Sequence, residues 1–323
     1  MELFKYSKSY DFMKKSPIFM ALSLLLMAAS IVLLLTKGLN YGIDFAGGTI
    51  IQVKYDSAAP ISKMRSQLKD EKLFNGVTIT RFGSDEEVIV RIKTTTQELG
   101  SDIGDLARKT LSGTGNFEIR RVDIVGPKVG SELREKGIMA MLIAVLGILI
   151  YVTFRFEWRF ALASVFALIH DVTIALGALS LFSVDINLDI LAALLTLLGY
   201  SLNDTIIVFD RIREGLRTLK SSVLKDVINE SVTRTLSRTT LTSLTTFFVI
   251  LTLFAFGGEI IHGFSFTLLV GVIVGTYSSI FVASVILIYS GFNVSSFRSK
   301  EAEKQKLEKE KNDMRAMYEQ GTL

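Results

Sequence analysis

The stretch LDILAALLTLLGYSLNDTIIVFDRIRE, Leu188–Glu214, decides the class of fold. An apolar run of about 20 residues can cross a bilayer as an α-helix, and residues 188–209 have that length before the charges of 210–214 begin. One carboxylate, Asp204, lies inside the run, about six residues or roughly 9 Å of helix before its end. Because an ionised group is costly in hydrocarbon, we expect Asp204 to face other helices or a water-filled path.

The composition of the whole chain agrees with a protein that crosses the bilayer several times. Of 323 residues, 49% are hydrophobic, 22 are Phe and only 3 are Pro, and the mean hydropathy is +0.42. The chain has no cysteine, which excludes disulfides, thiolate metal sites and a cysteine nucleophile, and its two histidines are far apart in sequence. We therefore expect neither a metal nor a cofactor.

Six apolar windows predict a polytopic α-helical membrane protein. They are residues 18–35, 138–154, 160–182, 188–209, 240–256 and 265–291. Lys and Arg occur in all the other short segments, namely 1–17, 155–159, 210–239 and 292–323, whereas the loops 183–187 and 257–264 contain none. The positive-inside rule therefore predicts that both termini are cytoplasmic.

The first window has two interpretations. Four lysines precede it and the small residues Ala28, Ala29 and Ser30 offer a cleavage point, as in a secretory signal. The apolar run continues to Leu35, however, which is longer than a typical signal core. An uncleaved membrane anchor is the favoured interpretation.

Residues 36–137 form one long translocated segment that is polar enough to fold in water. Their patterns follow the order β-α-β-β-α-β, which is typical of a small ferredoxin-like α+β domain. The predicted elements are Thr49–Tyr55, Ile61–Lys72, Val77–Phe82, Val88–Lys93, Leu99–Leu111 and Phe117–Val125. Because the only acidic cluster, Asp85–Glu87, is interpreted as a solvated turn, we predict a periplasmic domain that binds or transmits motion and is not an enzyme.

Glycine-rich junctions flank this domain. The first, residues 41–49, lacks the Lys-Ser/Thr of a phosphate-binding loop, and the second covers residues 125–130. Glycine tolerates large φ/ψ changes, so a hinged domain is one interpretation, although such junctions are also common without motion. The candidate hinge residues are Gly42, Asp44, Gly47, Gly48, Gly126, Pro127 and Gly130.

Five motifs carry a resemblance over nearly the whole chain. They are Gly42-Ile43-Asp44-Phe45-x-Gly47-Gly48-Thr49, Val125-Gly126-Pro127-x-Val129-Gly130, His170-Asp171-Val172, the segment Gly199–Glu214, and Thr235-Leu236-Ser237-Arg238-Thr239. Together they resemble the SecF branch of the bacterial SecD/SecF protein-export family, in the resistance-nodulation-division superfamily. The basic tail has no matching motif.

The resemblance implies a six-helix half that pairs with SecD beside the SecYEG channel in the bacterial inner membrane. Such a pair would use the proton gradient to promote the export of secretory preproteins and the insertion of membrane proteins. YajC and YidC are further candidate partners, protons would be the coupling ion, and no nucleic acid is expected. The chain contains no internal repeat, which agrees with one half being encoded here.

The predicted proton relay consists of Asp204, Arg238 and Asn203. Arg238 begins the fifth window and so lies at a similar depth to Asp204. A carboxylate that alternates between hydrated and dry, paired and unpaired surroundings can load and release a proton, whereas arginine stays charged. The resemblance implies the same two positions. The alternative is an ion pair that only supports packing.

Other polar residues in the windows have open roles. Thr239, Thr242, Thr245 and Thr246 recur at helical spacing from Arg238 and could line a polar path or bond to their own backbone. His170 and Asp171 could extend the relay or brace the bundle.

Two cytoplasmic segments complete the prediction. Ser221–Arg234 has the spacing of an amphipathic helix on the bilayer surface or under the bundle, within the loop 210–239. The tail segment Lys300–Lys311 mixes Lys and Glu, which favours a solvated helix or a disordered tail. Two functional alternatives remain at this level: half of a proton-driven small-molecule exporter, and a passive scaffold of the translocon.

Overall fold

The structure is a computed structural model that describes residues 10–70, 76–92 and 103–319. Six long apolar helices form a bundle, which confirms the predicted number of membrane-spanning helices. In chain-order numbering they are α1 Phe12–Thr36, α5 Pro127–Arg155, α6 Trp158–Leu181, α7 Leu188–Thr218, α8 Leu224–Phe256, and a sixth span made of α9 Gly258–Ser278, a π-helical turn Ser279–Ala283 and α10 Ser284–Tyr289. The third, fourth and sixth spans lie at the centre of the bundle, since half or more of their apolar stretch is buried.

The inserted α+β domain has the predicted ferredoxin-like order of elements. These are β1 Gly48–Tyr55, α3 Ile61–Asp70, β2 Thr78–Phe82, β3 Ser84–Ile92, α4 Ile103–Leu111 and β4 Phe117–Val125. The sheet is antiparallel in the order β2-β3-β1-β4. Alternate residues of β1 are buried and form a core with apolar residues of α3 and α4. The predicted positions 71–72, 93 and 99–102 lie outside the described residues.

The acidic cluster Asp85–Glu87 is not the predicted turn but the beginning of β3. Asp85 forms an exposed ion pair with Arg81 at 2.8 Å, and Glu87 accepts a hydrogen bond from Gln52 at 2.8 Å on the neighbouring strand. Cross-strand partners of this kind allow acidic residues to continue a strand. The tight connection lies one step earlier, at Gly83, whose φ of 74° is in the left-handed region.

Both glycine junctions meet at one place. The short helix α2, Ile43–Ala46, joins the first junction to β1, and the first residue of β1, Gly48, pairs with Val125 at the end of β4. A Cβ atom at Gly130 would lie 2.9 Å from the Gly47 nitrogen, so only glycine allows α5 to approach this closely. Asp44 is also fixed, because its Oδ2 accepts a hydrogen bond from the Leu188 nitrogen at 3.0 Å. A hinge here stays a prediction; the observed contacts are those of a tight joint.

The beginnings of the first and last described helices lie at the same end of the bundle. The Met13 nitrogen donates to Asn229 Oδ1 at 2.9 Å, near the beginning of α8. The last helix, α11 Val294–Glu319, is anchored by Arg298, which donates to the Leu216 carbonyl at 2.7 Å. The α+β domain lies at the opposite end, where the Arg81 nitrogen donates to Glu259 Oε2 at 2.9 Å. This arrangement agrees with two termini on the same side.

The predicted amphipathic loop differs from the structure. Residues 210–218 continue α7, and residues 224–234 of the predicted amphipathic helix Ser221–Arg234 are the first part of α8. Its apolar residues Val227, Ile228 and Val232 are buried in the same core as Ile212 and Leu216. A hydropathy window responds to the apolar part of a helix only, so it ends the fourth span and begins the fifth where the polar parts of α7 and α8 continue as helix.

Candidate functional site

Asp204 lies between α7 and α8 with only 1% of its surface exposed. Its Oδ2 accepts a hydrogen bond from Ser243 Oγ of α8 at 3.1 Å. Its Oδ1 is buried and has no hydrogen-bond partner among the described residues. The carboxylate is therefore held on one side and unsatisfied on the other, which is an unusual arrangement for a buried polar group.

Arg238, the predicted partner of Asp204, does not contact it in this structure. Its side chain is exposed, whereas the Asp204 carboxylate is buried and its one hydrogen-bond partner among the described residues is Ser243. Helix geometry gives the reason, since Arg238 precedes Ser243 by five residues and thus lies roughly 7.5 Å lower and about 140° around α8. Asn203 is likewise exposed.

The threonines of α8 divide into two groups. Thr239 is buried, one turn before Ser243 and on the same face. Thr242 and Thr245 are exposed and Thr246 is half-buried, and their hydroxyls donate to carbonyls of their own helix at 2.9 to 3.0 Å. The hydroxyls of these three bond their own backbone, and of the four threonines only Thr239 is buried.

A second buried carboxylate, Asp171 on α6, has 0% of its surface exposed and three partners. Ser201 of α7 and Ser278 of α9 donate to its Oδ2 at 2.5 and 2.9 Å, and His170 Nδ1 lies 2.8 Å from its Oδ1. Gly275 leaves room for the group, since a Cβ there would lie 3.3 Å from the Ser201 Cβ.

The Asp171 cluster also reaches α1. The Tyr277 hydroxyl lies 3.3 Å from His170 Nε2 and accepts a hydrogen bond from Ser23 of α1 at 3.4 Å. The cluster thus joins α1, α6, α7 and α9, directly before the π-helical turn that begins at Ser279. His170 and Asp171, singled out in the sequence as an ionisable pair, are in contact with each other and do not contact Asp204.

Sequence reasoning missed the hydroxyl partners of both carboxylates. Ser23 and Ser201 are single serines in apolar stretches, whereas Ser243 lies among threonines and Ser278 precedes Ser279. Each is a weak signal, because a serine in a helix can bond its own backbone. The available signal was the four-residue spacing of Ser231, Thr235, Thr239 and Ser243.

A cavity of about 550 Å³ lies between the α+β domain and the bundle. Its lining includes the carboxylates Asp44, Asp189 and Glu259 together with Arg91 and His262. No group of three His, Cys, Asp or Glu side chains among the described residues is arranged to hold a metal ion. The cavity is therefore an acidic cleft at the base of the domain.

Comparisons with known proteins agree in pointing to one family. The family described as protein export membrane protein SecD/SecF, C-terminal, matches residues 106–293, and the SecD/SecF GG motif matches residues 32–59. Protein translocase subunit SecF of Helicobacter pylori strain J99 is 47% identical over 323 residues, which is 100% of both chains. The subunit of the same name from Calditerrivibrio nitroreducens is 48% identical over 88% of this chain and 95% of its own length.

A crystal structure of SecDF from Thermus thermophilus, described as a translocon-associated membrane protein, superimposes with a TM-score of 0.77 at 35% identity. The match covers 89% of this chain but only 39% of the SecDF chain. The GG motif coincides with the joint between α2 and β1, and the larger family match contains both buried carboxylates. The chain therefore belongs to the SecD/SecF family of protein export membrane proteins, as a SecF-type member.

Proposed function

We propose that the chain is an accessory subunit of the Sec protein translocase that pairs with SecD and uses the proton gradient. The pair would promote the export of secretory preproteins across the bacterial inner membrane and the insertion of membrane proteins. Support comes from full-length relatives named protein translocase subunit SecF and from the description of SecDF as translocon-associated. SecYEG is the proposed channel, with YajC and YidC as further partners.

The observation that carries the proton-coupling part is the half-paired state of Asp204. An ionisable group inside a membrane bundle is costly, and such groups mark proton pathways in transporters. The unpaired Oδ1 is the atom at which a proton can bind or leave, while the bond to Ser243 keeps the carboxylate oriented. Asp204 is therefore the proposed proton carrier.

Arg238 is the proposed fixed charge that controls when Asp204 releases its proton. In the present arrangement the guanidinium lies on the exposed side of α8, so pairing requires α8 to turn or the side chain to reach around the helix. A permanently charged group that approaches Asp204 favours loss of the proton, and its withdrawal favours uptake. Thr242 is one turn from Arg238 on this exposed side, and Asn203 is the exposed neighbour of Asp204.

The SecD partner is proposed to cover this side of α8. Only 17% of the apolar stretch of α8 is buried within the chain, although the helix contains Arg238 and several threonines. The SecDF chain extends well beyond the part that this chain matches, which supports a second half beside it. Both termini are proposed to be cytoplasmic, because they share one end of the bundle with the basic segments.

The decisive experiment is Asp204→Asn in a strain or proteoliposome that contains the SecD partner and the channel. Asparagine keeps the shape of the side chain but cannot carry the proton, so we expect the proton-gradient-dependent part of export to be lost while insertion and assembly persist. Asp210→Asn is the matched control, because Asp210 lies on the same helix in an exposed ion pair with Arg155 at 2.8 Å.

The alternatives predict other outcomes. A passive scaffold predicts that both Asp204→Asn and Arg238→Ala leave export unchanged in correctly assembled complexes, which would overturn the proposal. Half of a small-molecule exporter predicts that loss of the chain raises the accumulation of toxic compounds in cells without a defect in secretion.

A further inference from the structure

A small pocket lies at the end of the bundle where α6 begins and α11 begins. Its volume is about 120 Å³, and its lining includes Glu157, Trp158, Arg159 and Lys300. Sites that enclose a whole small molecule usually measure about 300–1,000 Å³. This charged pocket is therefore large enough to enclose one polar group of a larger molecule, and the rest of that molecule must lie outside it.

The charged side chains of this pocket are available to a ligand. Among the described residues, neither the Glu157 carboxylate nor the Lys300 ammonium group has an ion-pair or hydrogen-bond partner. Arg159 Nη1 donates to the Gly291 carbonyl at 2.6 Å, which uses one of the five N–H donors of the guanidinium. The charged pocket thus offers donors for an anionic group at Arg159 and Lys300 and an acceptor for a cationic group at Glu157.

Two aromatic side chains indicate that the charged pocket lies at the level of the lipid head groups. Trp158 at the beginning of the third span is 58% exposed, and Tyr289 at the end of the sixth span is 84% exposed. Tryptophan and tyrosine are enriched where a membrane protein crosses the boundary between hydrocarbon and water. The bond from Arg159 to Gly291, two residues after Tyr289, joins the two span ends at this boundary.

An apolar strip on α6 leads from the charged pocket into the bilayer. Between residues 158 and 180, all of which the structure describes, the exposed side chains of α6 are Trp158, Leu162, Phe166 and Ile169. They share one face of the helix and extend along about 16 Å of it, which is close to one leaflet of a hydrocarbon core of roughly 30 Å. Farther along this face Ser180 is buried and donates to the Gly38 carbonyl at 2.6 Å, so the chain itself covers the rest of the face.

We propose that the charged pocket and the apolar strip bind one phospholipid with a primary ammonium head group, such as phosphatidylethanolamine. Its phosphate lies between Arg159 and Lys300, its ammonium group donates to the Glu157 carboxylate, and one acyl chain covers the apolar strip. Basic pockets between membrane helices are suited to phospholipid head groups in the same way. The site is separate from the proposed proton carrier and does not depend on it.

Glu157 is the residue that distinguishes among common phospholipids. A glycerol head group brings a phosphate but no cation for the Glu157 carboxylate. A choline head group has the same charges as an ethanolamine head group, but its methylated nitrogen has no N–H to donate. Because hydrogen bonds between ionised groups are stronger than those between neutral groups, the ethanolamine head group fits the three charges of the pocket best.

The one tryptophan of the sequence reports on this site directly, because Trp158 lines the charged pocket and begins the apolar strip. The full chain is reconstituted in phosphatidylcholine vesicles that contain a small fraction of phospholipid with brominated acyl chains, which quench tryptophan fluorescence on contact. Brominated phosphatidylethanolamine should reach half-maximal quenching at a roughly tenfold lower mole fraction than brominated phosphatidylcholine, which is the effect of about one charged hydrogen bond. Brominated phosphatidylglycerol tests the attraction of the phosphate alone.

Two substitutions test the roles of the charged side chains. Glu157→Gln should abolish the preference for ethanolamine over choline, because the amide offers no charge to the ammonium group. Lys300→Gln should raise the mole fraction of brominated phosphatidylethanolamine that half-maximal quenching requires. Lys304→Gln is the matched control, because Lys304 is exposed about one turn farther along α11 and does not line the charged pocket.

Equal quenching by the ethanolamine and choline lipids in the unchanged chain would overturn the proposal, and so would a preference that persists in Glu157→Gln. Stronger quenching by brominated phosphatidylglycerol would assign the charged pocket to an anionic lipid instead. Quenching by none of the three lipids would mean that a second copy of the chain covers the apolar strip. Both of these outcomes also contradict the proposed lipid.

Discussion

Asp171 and Asp204 are both buried carboxylates of the central helices, yet their surroundings differ. Asp171 has partners on both oxygens, contributed by Ser201, Ser278 and His170, whereas within the described part of the chain Asp204 has Ser243 as its one partner and one unpaired oxygen. A fully satisfied polar group stabilises packing and resists change. A carboxylate with one unpaired oxygen, such as Asp204, is destabilised by its burial, and a bound proton or water molecule would lower that free-energy cost. We infer that a buried carboxylate whose two oxygens both have hydrogen-bond partners stabilises the helix packing, whereas one with an unpaired oxygen can carry a proton. Burial alone does not distinguish the two.

The largest expected difference is in stability. Asp171→Ala leaves two hydroxyls and an imidazole without their acceptor, at a cost of about 1 kcal/mol or more each, so the loss should be on the order of 3 kcal/mol. By the same count Asp204→Ala leaves one hydroxyl, that of Ser243, without its acceptor and should cost about 1 kcal/mol. Unfolding of the two variants in detergent measures both values. Equal losses would mean that the two carboxylates are equivalent braces.

A second prediction concerns the space around Asp171. In Gly275→Leu the new side chain would meet Ser201 and Asp171, since a Cβ at Gly275 already lies 3.3 Å from the Ser201 Cβ. Overpacking of this kind costs roughly 2 kcal/mol and should separate α7 from α9. Gly199→Leu is the control, because a Cβ at Gly199 has no atom within 4 Å. Thermal unfolding that is the same for both variants would contradict the close packing of the Asp171 cluster.

The smallest stability effects should come from the serine partners, which makes them the sharpest functional comparison. Ser201→Ala and Ser243→Ala each remove one interhelical hydrogen bond, worth about 0.6 kcal/mol in a membrane bundle. Because Ser243 bonds Asp204, the proposed proton carrier, and Ser201 does not, we expect only Ser243→Ala to lower proton flux in proteoliposomes that contain the SecD partner. If flux fell equally in both variants, the Asp171 cluster would have to belong to the relay.

Much of the fold could be predicted because the lipid bilayer and water each impose a clear pattern of apolar residues on the sequence. Apolar windows located the six spans, and alternation located the four strands, since a sheet with one covered face buries every second residue. The errors fell where a polar sequence continues a regular element. Residues 224–237 extend α8 and residues 85–87 begin β3, and in both places neighbouring residues, not the medium, satisfy the polar groups.

The site was only half predictable. A carboxylate in an apolar run is visible from its cost, so Asp204 could be found by sequence. Its partner could not, because depth in the membrane defines a height on α8 but not a direction around it. An apolar window also locates depth only to within a few residues, and Ser243, five residues after Arg238, has both the depth and the direction that reach Asp204. The Asp171 cluster needs hydroxyls from helices that are far apart in the chain, and no periodicity within one helix reports such a meeting.

The pairing of Gly48 with Val125 has a consequence for the architecture of the chain. Paired Cα atoms on adjacent antiparallel strands are about 5 Å apart, a distance that a two-residue hairpin can bridge. The chain thus leaves the helix bundle for the α+β domain and returns to it at one place. A short turn in place of the domain would leave the packing among the membrane-spanning helices unchanged. The domain inserted at this place can therefore be replaced or enlarged in evolution without changes in the membrane-spanning helices.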